Sequence, residues 1–169
     1  MSMTTVGKTV ENVLFITADQ WRGECLSVLG HPVVKTPHLD ALASMGTLFR
    51  HHYSQATPCG PARASLYTGL YQHNHRTVTN GTPLDDRHAN IALEARKGGH
   101  DPVLFGYTDI AVDPRGRDPD DPELRKRAGL LRGMTPVVRM DADFLPWKIA
   151  LRQRGYEVDD DPRSLFRPN

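Results

Sequence analysis

The chain has 169 residues, 38% of them hydrophobic, and its 21 basic and 20 acidic side chains leave a formal net charge of +1. A chain of this length can bury one sizeable core, so we expect one domain. The balanced charge argues against a nucleic-acid-binding protein, and no apolar run approaches the about 20 residues that cross a bilayer. We therefore expect a cytoplasmic protein that contacts neither nucleic acid nor membrane, because the N-terminus also lacks the long apolar region of a signal peptide.

The first part of the chain predicts a strand, a helix and a second strand. Residues 12–18, NVLFITA, are apolar throughout, which favours a strand covered on both faces. A helix follows over 36–46, where Thr36 can cap the start, proline fits the first position and glycine can end it. Residues 47–54, TLFRHHYS, then have the composition of another strand.

The same alternation continues through the middle of the chain. A helix is predicted from about Pro61 to about Tyr71, which places Cys59 at or just before its N-terminus. A further helix over 89–97 stops at two glycines, and a strand follows over 103–107. Alternating strands and helices predict an α/β fold with a mostly parallel sheet sandwiched by helices, incomplete in this chain.

The alternation of predicted strands and helices becomes less clear after residue 109. The charged and turn-rich run DPRGRDPDDPE, 113–123, predicts a surface loop. One short helix is expected over 146–154, with no closing element after it. We therefore assign the core to 12–110 and a loop-rich continuation to 111–169.

The segment CGPAR, 59–63, places a cysteine and an arginine one helical turn apart. The N-terminus of a helix, with unpaired backbone N–H groups, favours anions, and the guanidinium fork matches sulfate or phosphate oxygens. Three interpretations are open for Cys59: a small buried side chain, a thiolate nucleophile, or a precursor that is chemically converted. The cysteine phosphatases wrap phosphate in a longer loop between Cys and Arg, which argues against a thiolate nucleophile here.

Cys25 and Cys59 are too few for a disulfide framework and fit no zinc-finger pattern.

Residues 59–63 resemble the C-x-P-x-R signature of the sulfatase family, part of the alkaline phosphatase superfamily. The stretches NVLFITADQW and KTPHLDALASMGTLFRHHYSQATPCGPARASLYTGLYQHNH are also similar to the family pattern. The resemblance covers about 12–108, and ADQWR and HDPVLFGYT make it closest to the phosphonate monoester hydrolase and arylsulfatase branch. It implies an alkaline-phosphatase-like fold and the hydrolysis of sulfate esters, phosphonate monoesters or phosphodiesters.

In that family a maturation enzyme oxidises the cysteine of the motif to formylglycine, whose hydrate acts as a nucleophile beside a metal ion. The resemblance therefore makes Cys59, as a metal-bound formylglycine, both the nucleophile and a metal contact, and it makes Arg63 the side chain that holds the hydrate. It makes Asp19 a metal ligand, and Gln20 either a ligand or a neighbour of the ligands. Oxygen ligands suit one calcium, manganese or magnesium ion.

The resemblance also implies that Asn80 and Tyr107 bind substrate. Asn80 stands where many sulfatases have a lysine, and Gln20 stands where they have an aspartate. A site with fewer cations suits monoanionic esters better than dianionic phosphate monoesters. Asp109 departs from the branch, where a small hydroxyl residue is expected, and this departure bears on substrate preference.

Two histidine pairs, His51-His52 and His73-x-His75, are weaker candidates for metal binding. Adjacent histidines on a strand point to opposite faces, so His51 and His52 are not expected to share an ion. His73 and His75 occupy positions that are variable or structural in the family. We expect neither pair to hold a metal.

The remaining metal ligands of the family, and the histidine and lysine that act on its substrates, have no counterparts in this sequence. We therefore expect the chain to be the N-terminal portion of a sulfatase-like catalytic domain, truncated or divided from the rest. The expected partners are a small anionic ester substrate and a formylglycine-generating enzyme, and the full-length protein is expected to be a homo-oligomer. The alternative is a non-catalytic anion-binding or interaction domain in which Cys59 stays a free thiol.

Overall fold

The computed structural model describes residues 12–126, 128–140 and 143–161. The chain divides into two compact units, Met1–Tyr53 and Ser54–Asn169. Among the described residues, no helix combines the length and the apolar character that crossing a membrane requires.

The first unit contains a 3-10 turn, Ser27–Leu29, and helix α1, Pro37–Met45, as predicted for the segment 36–46. The side chain of Thr36 does not cap this helix. Its hydroxyl donates instead to Asp40 Oδ1 at 3.0 Å, and Asp40 Oδ2 accepts from the Ser27 hydroxyl at 2.6 Å. The Ser27 hydrogen bond is the main cause that lowers the pKa of Asp40. A polar cluster thus ties the turn to the helix.

The strands predicted over 12–18 and 47–54 are not formed. A strand is stabilised by hydrogen bonds to a neighbouring strand, and among the described residues neither segment has one. Their apolar side chains are exposed instead, as in Leu14 at 85% and Phe49 at 75%. The residue composition of these two segments was therefore not a sufficient basis for predicting strands.

The second unit carries most of the regular structure. Its described elements are α2 Cys59–Thr68, α3 Gln72–His75, α4 Ile91–Lys97, β1 Val103–Gly106, the 3-10 turn Pro122–Arg125, β2 Thr135–Arg139 and α5 Leu145–Gln153. The helices predicted over 89–97 and 146–154 and the strand over 103–107 are confirmed, with ends shifted by a few residues. The helix predicted to run to Tyr71 ends earlier, because Gly69 adopts a left-handed conformation that terminates α2.

Strands β1 and β2 pair in parallel, with Val103 opposite Thr135 and Gly106 opposite Arg139. Strand β2 was not expected from the sequence, because Pro136 interrupts its short apolar pattern. A parallel pair that follows a helix is the arrangement expected of an α/β fold. In such folds, binding sites lie beyond the carboxyl ends of the strands, where Tyr107 follows β1.

The hydrophobic core of the second unit holds α2 and α4 against the chain that follows β1. Its buried apolar members are Ala64, Tyr67, Leu84, Ala92, Ile110 and Leu131. Since α2 contributes two of these side chains, core packing fixes the position of the helix whose first residue is Cys59.

Candidate active site

Helix α2 begins at Cys59, as the motif predicts, but most of its first N–H groups are already used. The Gly60 N–H donates to Asn80 Oδ1 at 2.7 Å, and the Ala62 N–H donates to the Pro58 carbonyl at 3.1 Å. Pro61 has no N–H to offer. This corrects the expectation of several unpaired donors, so anion binding here would depend mainly on side chains and on the helix dipole.

The side chain of Asn80 joins the two first residues of α2. Because its Oδ1 atom accepts the Gly60 N–H, its amide nitrogen is directed towards Cys59, where Nδ2 donates to Sγ at 3.3 Å. The orientation of the amide is therefore fixed by the backbone. An N–H donor faces the atom that the sequence analysis assigned as the precursor of the nucleophile.

Gly60 allows the close approach of two neighbouring segments. A Cβ atom at this position would lie 3.0 Å from Asn80 Oδ1 and 3.5 Å from the Asp109 carbonyl oxygen. Asp109 itself has a φ of 54°, in the left-handed region that side chains other than glycine seldom adopt. The absence of a side chain at Gly60 thus lets Asn80 and Asp109 pack against the first turn of α2.

Arg63 is buried, with 7% of its surface exposed, and Tyr107 contacts it in two ways. Its Nη1 atom donates to the Tyr107 carbonyl at 3.1 Å, and its guanidinium carbon lies 4.6 Å from the centre of the Tyr107 ring. Both contacts stabilise a buried cation, through a hydrogen bond and a cation–π interaction. The structure therefore brings together Arg63 and Tyr107, two of the residues assigned to the site from the sequence.

Tyr67, which was not predicted from the sequence as part of the site, lies one helical turn after Arg63. Burial raises the pKa of the Tyr67 phenol, and a hydrogen bond with Arg63 acts in the opposite direction. The spacing of four residues was the available signal, because side chains at i and i+4 are neighbours on a helix. Tyr67 and Tyr107 together hold the guanidinium in place.

Asp19 and Gln20, the predicted metal ligands, belong to the first unit, whereas Cys59 belongs to the second. Carboxylate and amide oxygens fit a hard divalent cation, which takes six or more oxygen ligands when it is calcium. Among the described residues, no three His, Cys, Asp or Glu side chains form a group that could hold a metal ion. The donor types fit the predicted ion, and its binding by these residues stays a prediction.

His75 is buried, and both of its ring nitrogens form hydrogen bonds within the protein. Its Nδ1 atom accepts the Thr77 N–H at 3.1 Å, so Nε2 carries the proton and donates to the Ser65 hydroxyl at 2.9 Å. Burial lowers the pKa of His75, and the charge of His88 adds to this effect. The neutral ring therefore connects α3 to α2.

Comparisons with known proteins identify the family of this chain. A model of the Sulfatase family matches residues 11–131. The multifunctional alkaline phosphatase superfamily protein PehA of Trinickia caryophylli is 39% identical over 165 residues, which cover 95% of this chain and 32% of that protein.

Two solved structures extend the comparison to the fold. The phosphonate monoester hydrolase of Agrobacterium radiobacter is 55% identical with a TM-score of 0.77, over 82% of this chain and 28% of that one. The phosphonate monoester hydrolase SpPMH from Silicibacter pomeroyi is 48% identical with a TM-score of 0.79, over 89% and 30%.

The chain thus spans about a third of the length of these relatives and matches their N-terminal part. The similarity to both hydrolase structures confirms the alkaline-phosphatase-like α/β fold. By the family model and by these structures, the chain belongs to the sulfatase family of the alkaline phosphatase superfamily.

Proposed function

We propose that this chain carries the nucleophile of a hydrolase that cleaves sulfate esters, phosphonate monoesters or phosphodiesters. The observation that supports it best is the contact of Asn80 with both Cys59 Sγ and the Gly60 N–H at the start of α2. This geometry places a fixed amide donor beside the predicted nucleophile. Arg63, one turn later in the helix, provides the positive charge.

The nucleophile in this proposal is formylglycine, made from Cys59 and hydrated to a gem-diol. One of its hydroxyl oxygens would supply the nucleophile for the sulfur or phosphorus atom, and the proton lost by that hydroxyl would balance the one gained by the leaving alcohol. Loss of the proton from the second hydroxyl then breaks the bond between carbon and the bridging oxygen, which releases the product and restores the aldehyde. Addition of water to the aldehyde would regenerate the gem-diol, so no water molecule would have to attack the sulfur or phosphorus atom of the covalent intermediate.

The side chains around Cys59 have distinct tasks in this reaction. The Asn80 amide donates to an oxygen of the ester, and Arg63 attracts the anion while Tyr107 keeps the guanidinium in position. A divalent calcium, manganese or magnesium ion, held through the oxygens of Asp19 and Gln20, would add positive charge to the site. Tyr107 is then a positioning residue for Arg63 as well as a candidate contact for the substrate.

The charges at the site favour monoanionic esters. Asn80 contributes an amide instead of a cation. Besides burial, the negative charge of Asp109 raises the pKa of the phenol of Tyr67, which forms a hydrogen bond with Arg63. Such a site offers less positive charge than a dianionic phosphate monoester requires. Sulfate monoesters, phosphonate monoesters and phosphodiesters each carry a single negative charge at the reacting group.

The proposal also includes a cytoplasmic location, a formylglycine-generating enzyme as maturation partner and a homo-oligomeric full-length protein. The cytoplasmic location follows only from what the sequence leads us to expect. The maturation partner is the one that a direct measurement on this chain can test.

That measurement is mass spectrometry of the peptide covering residues 57–76, on protein produced with and without a formylglycine-generating enzyme. We expect loss of sulfur and an aldehyde at Cys59 only when the enzyme is present. Cys25, which lies outside the motif and is read from its own peptide in the same digest, is the internal control and should stay a thiol in both samples. An intact thiol at Cys59 in both samples would reject the proposed nucleophile and favour a non-catalytic anion-binding domain.

A further inference from the structure

Asp109 is a residue of the second unit to which the reaction described above assigns no step. Its φ of 54° lies in the left-handed region, which side chains other than glycine seldom adopt. Strained positions of this kind persist only where the surrounding structure fixes them, and they are common at binding sites. The conformation of Asp109 is therefore a first indication that its side chain serves binding.

The two neighbours of Asp109 hold its backbone in place. Thr108 is fully buried, and its hydroxyl donates to the Gly129 carbonyl at 2.8 Å and accepts the Leu131 N–H at 3.2 Å. Ile110 is buried as well, and its carbonyl accepts the Gly129 N–H at 2.7 Å. Because both neighbours are anchored in the interior, the left-handed conformation of Asp109 is imposed by the fold.

Asp109 borders the first helix of the second unit in space. Its carbonyl oxygen lies 3.5 Å from the position that a Cβ atom would take at Gly60. Burial is the main cause that raises the pKa of the Tyr67 phenol, and the negative charge of Asp109 adds to it. Tyr67 in turn forms a hydrogen bond with Arg63. The carboxylate therefore lies near the face of α2 that carries Arg63, the cation of the proposed anion site.

The carboxylate of Asp109 is available to a ligand. Among the described residues, no hydrogen bond or ion pair engages it, and its oxygens are accessible to water. A half-buried carboxylate without a partner is costly, because it has lost part of its hydration. An ammonium group would stabilise it through a charge-assisted hydrogen bond. A cation at Arg63 and an available anion at Asp109 together match a ligand that carries both charges.

We propose that Asp109 is a specificity-determining residue that selects esters whose alcohol carries a positively charged amine, an inference that rests on the proposed function. The sulfate, phosphonate or phosphate group binds at Arg63 and Asn80. The ammonium group, on a short arm of the alcohol, binds the Asp109 carboxylate. The small hydroxyl residue expected at this position would leave such an arm without an ion pair.

The test compares two compounds of nearly equal size, 2-aminoethanesulfonate and propane-1-sulfonate. Both carry a sulfonate as a stable analogue of the sulfate ester group, and they differ only in a terminal ammonium against a methyl group. Their binding to the full 169-residue chain is measured by NMR titration at neutral pH and constant ionic strength. We expect the ammonium compound to bind about five-fold more tightly, the size of effect that an exposed ion pair produces.

The variant Asp109→Asn removes the charge and keeps the shape, and asparagine tolerates the left-handed conformation as aspartate does. It should bind the two compounds about equally, because the ammonium group loses its counter-ion. The same spectra report whether the variant is folded. The matched control is Asp101→Asn, which removes the same charge at an exposed position paired with Arg96. This control should keep the preference for the ammonium compound.

Several results would overturn the role of Asp109. A preference that survives Asp109→Asn would mean that another group binds the ammonium, and a preference that Asp101→Asn also abolishes would be an effect of net charge. Equal binding of both compounds by the unmodified chain overturns the selection by Asp109 and leaves the anion site intact. Binding of neither compound overturns the anion site as well, whereas the proposed nucleophile is tested separately by the conversion of Cys59.

Discussion

At the scale of single residues, Asn80 uses the two ends of one amide for two different purposes. Its oxygen satisfies a backbone donor at the start of α2, and this contact directs its nitrogen towards Cys59. An aspartate at this position could still accept the Gly60 N–H. It would then place a second oxygen, with negative charge, where the amide nitrogen now lies.

We predict that Asn80→Asp weakens the binding of phenylmethanesulfonate, a stable monoanionic analogue of a sulfate ester, about ten-fold, because two anions would face each other at short range. The free energy of unfolding should change little, since the backbone contact survives. Calorimetric titration and urea denaturation measure the two effects. Asn74→Asp, at an exposed position of α3, is the control and should leave binding unchanged. Equal weakening in both variants would contradict the assigned role.

His75 yields a prediction about stability between neutral and mildly acidic pH. Its pKa is lowered in the folded protein, so the unfolded chain, in which histidine titrates near pH 6.5, binds the proton more readily. Stability should therefore fall as the pH drops below about 6.5 and level off below the folded pKa.

His75→Gln should lower stability at pH 7.5 and reduce the further loss between pH 7.5 and 5.5. The relevant measurement is the free energy of unfolding from urea titrations at the two pH values. His73→Gln is the matched control, because His73 is exposed and stacks on Tyr71 at 5.7 Å. If His75→Gln retained the full loss on acidification, another group would be responsible.

The contacts among the candidate site residues could be anticipated only where a motif names these residues. The resemblance pointed to Cys59, Arg63, Asn80 and Tyr107, which lie in contact in pairs in the structure. Tyr67 was missed because it belongs to no such motif, and its contact with Arg63 becomes visible only once the helix is built. The use of the Gly60 N–H by Asn80 likewise depends on a contact between residues 20 positions apart.

At the scale of elements, the start of α4 is a point where several bonds converge on one side chain. Asn90 accepts the N–H groups of Ala92 at 2.9 Å and Leu93 at 3.1 Å, and its Nδ2 atom donates to the Arg132 carbonyl at 3.1 Å. It therefore caps the helix and also connects it to the segment that leads into β2. Only 4% of Asn90 is exposed, so water cannot readily replace these bonds.

We predict that Asn90→Ala costs about 2–3 kcal/mol of unfolding free energy, the sum of a lost helix cap and the lost hydrogen bond to the Arg132 carbonyl. Asn90→Asp should cost less, because its carboxylate can still accept both N–H groups at the helix start. Asn74→Ala serves as the exposed control, and urea denaturation gives the three values. Equal costs for Asn90→Ala and Asn90→Asp would show that the cap contributes nothing.

Helices were easier to predict than strands in this chain, for a physical reason. The proline and glycine that mark the ends of α1, and the two glycines after α4, act locally, so the sequence carries their signal. A strand depends on a partner that is distant in sequence, as β1 depends on β2. For this reason 12–18 was predicted as a strand from its composition, whereas β2, with a proline inside it, was overlooked.

At the scale of the whole molecule, the charged segment after residue 112 is more ordered than its sequence implied. Asp113 is buried and accepts the Asp86 N–H at 2.9 Å and three donors of Arg115 at 3.0, 2.9 and 2.5 Å. The Arg115 guanidinium also pairs with Asp85 at 2.7 Å. These bonds, with Arg115 as the main cause, hold the pKa of Asp113 far below its usual range. The run predicted to be a surface loop is thus anchored at its beginning.

This anchoring predicts how the protein responds to acid. A carboxyl whose pKa is depressed by folding stabilises the protein above its unfolded pKa, near 3.9, and this contribution is lost as the pH falls towards the folded value. Asp113→Asn should cost about 1–3 kcal/mol at pH 7 and flatten the loss of stability between pH 4.5 and 2.5. Urea denaturation across this range measures both. Asp101→Asn, at an exposed ion pair with Arg96, should behave as the unmodified chain does.

If Cys59 is the precursor proposed above, the burial of the CGPAR segment limits when it can be converted. Gly60, Pro61 and Arg63 are buried once α2 has formed, and the segment is then helical. An enzyme that recognises this motif by its side chains must therefore meet it before the second unit has folded. Conversion of Cys59 would then compete in time with folding during synthesis, and a molecule that folds with its thiol intact could not be activated afterwards without being unfolded.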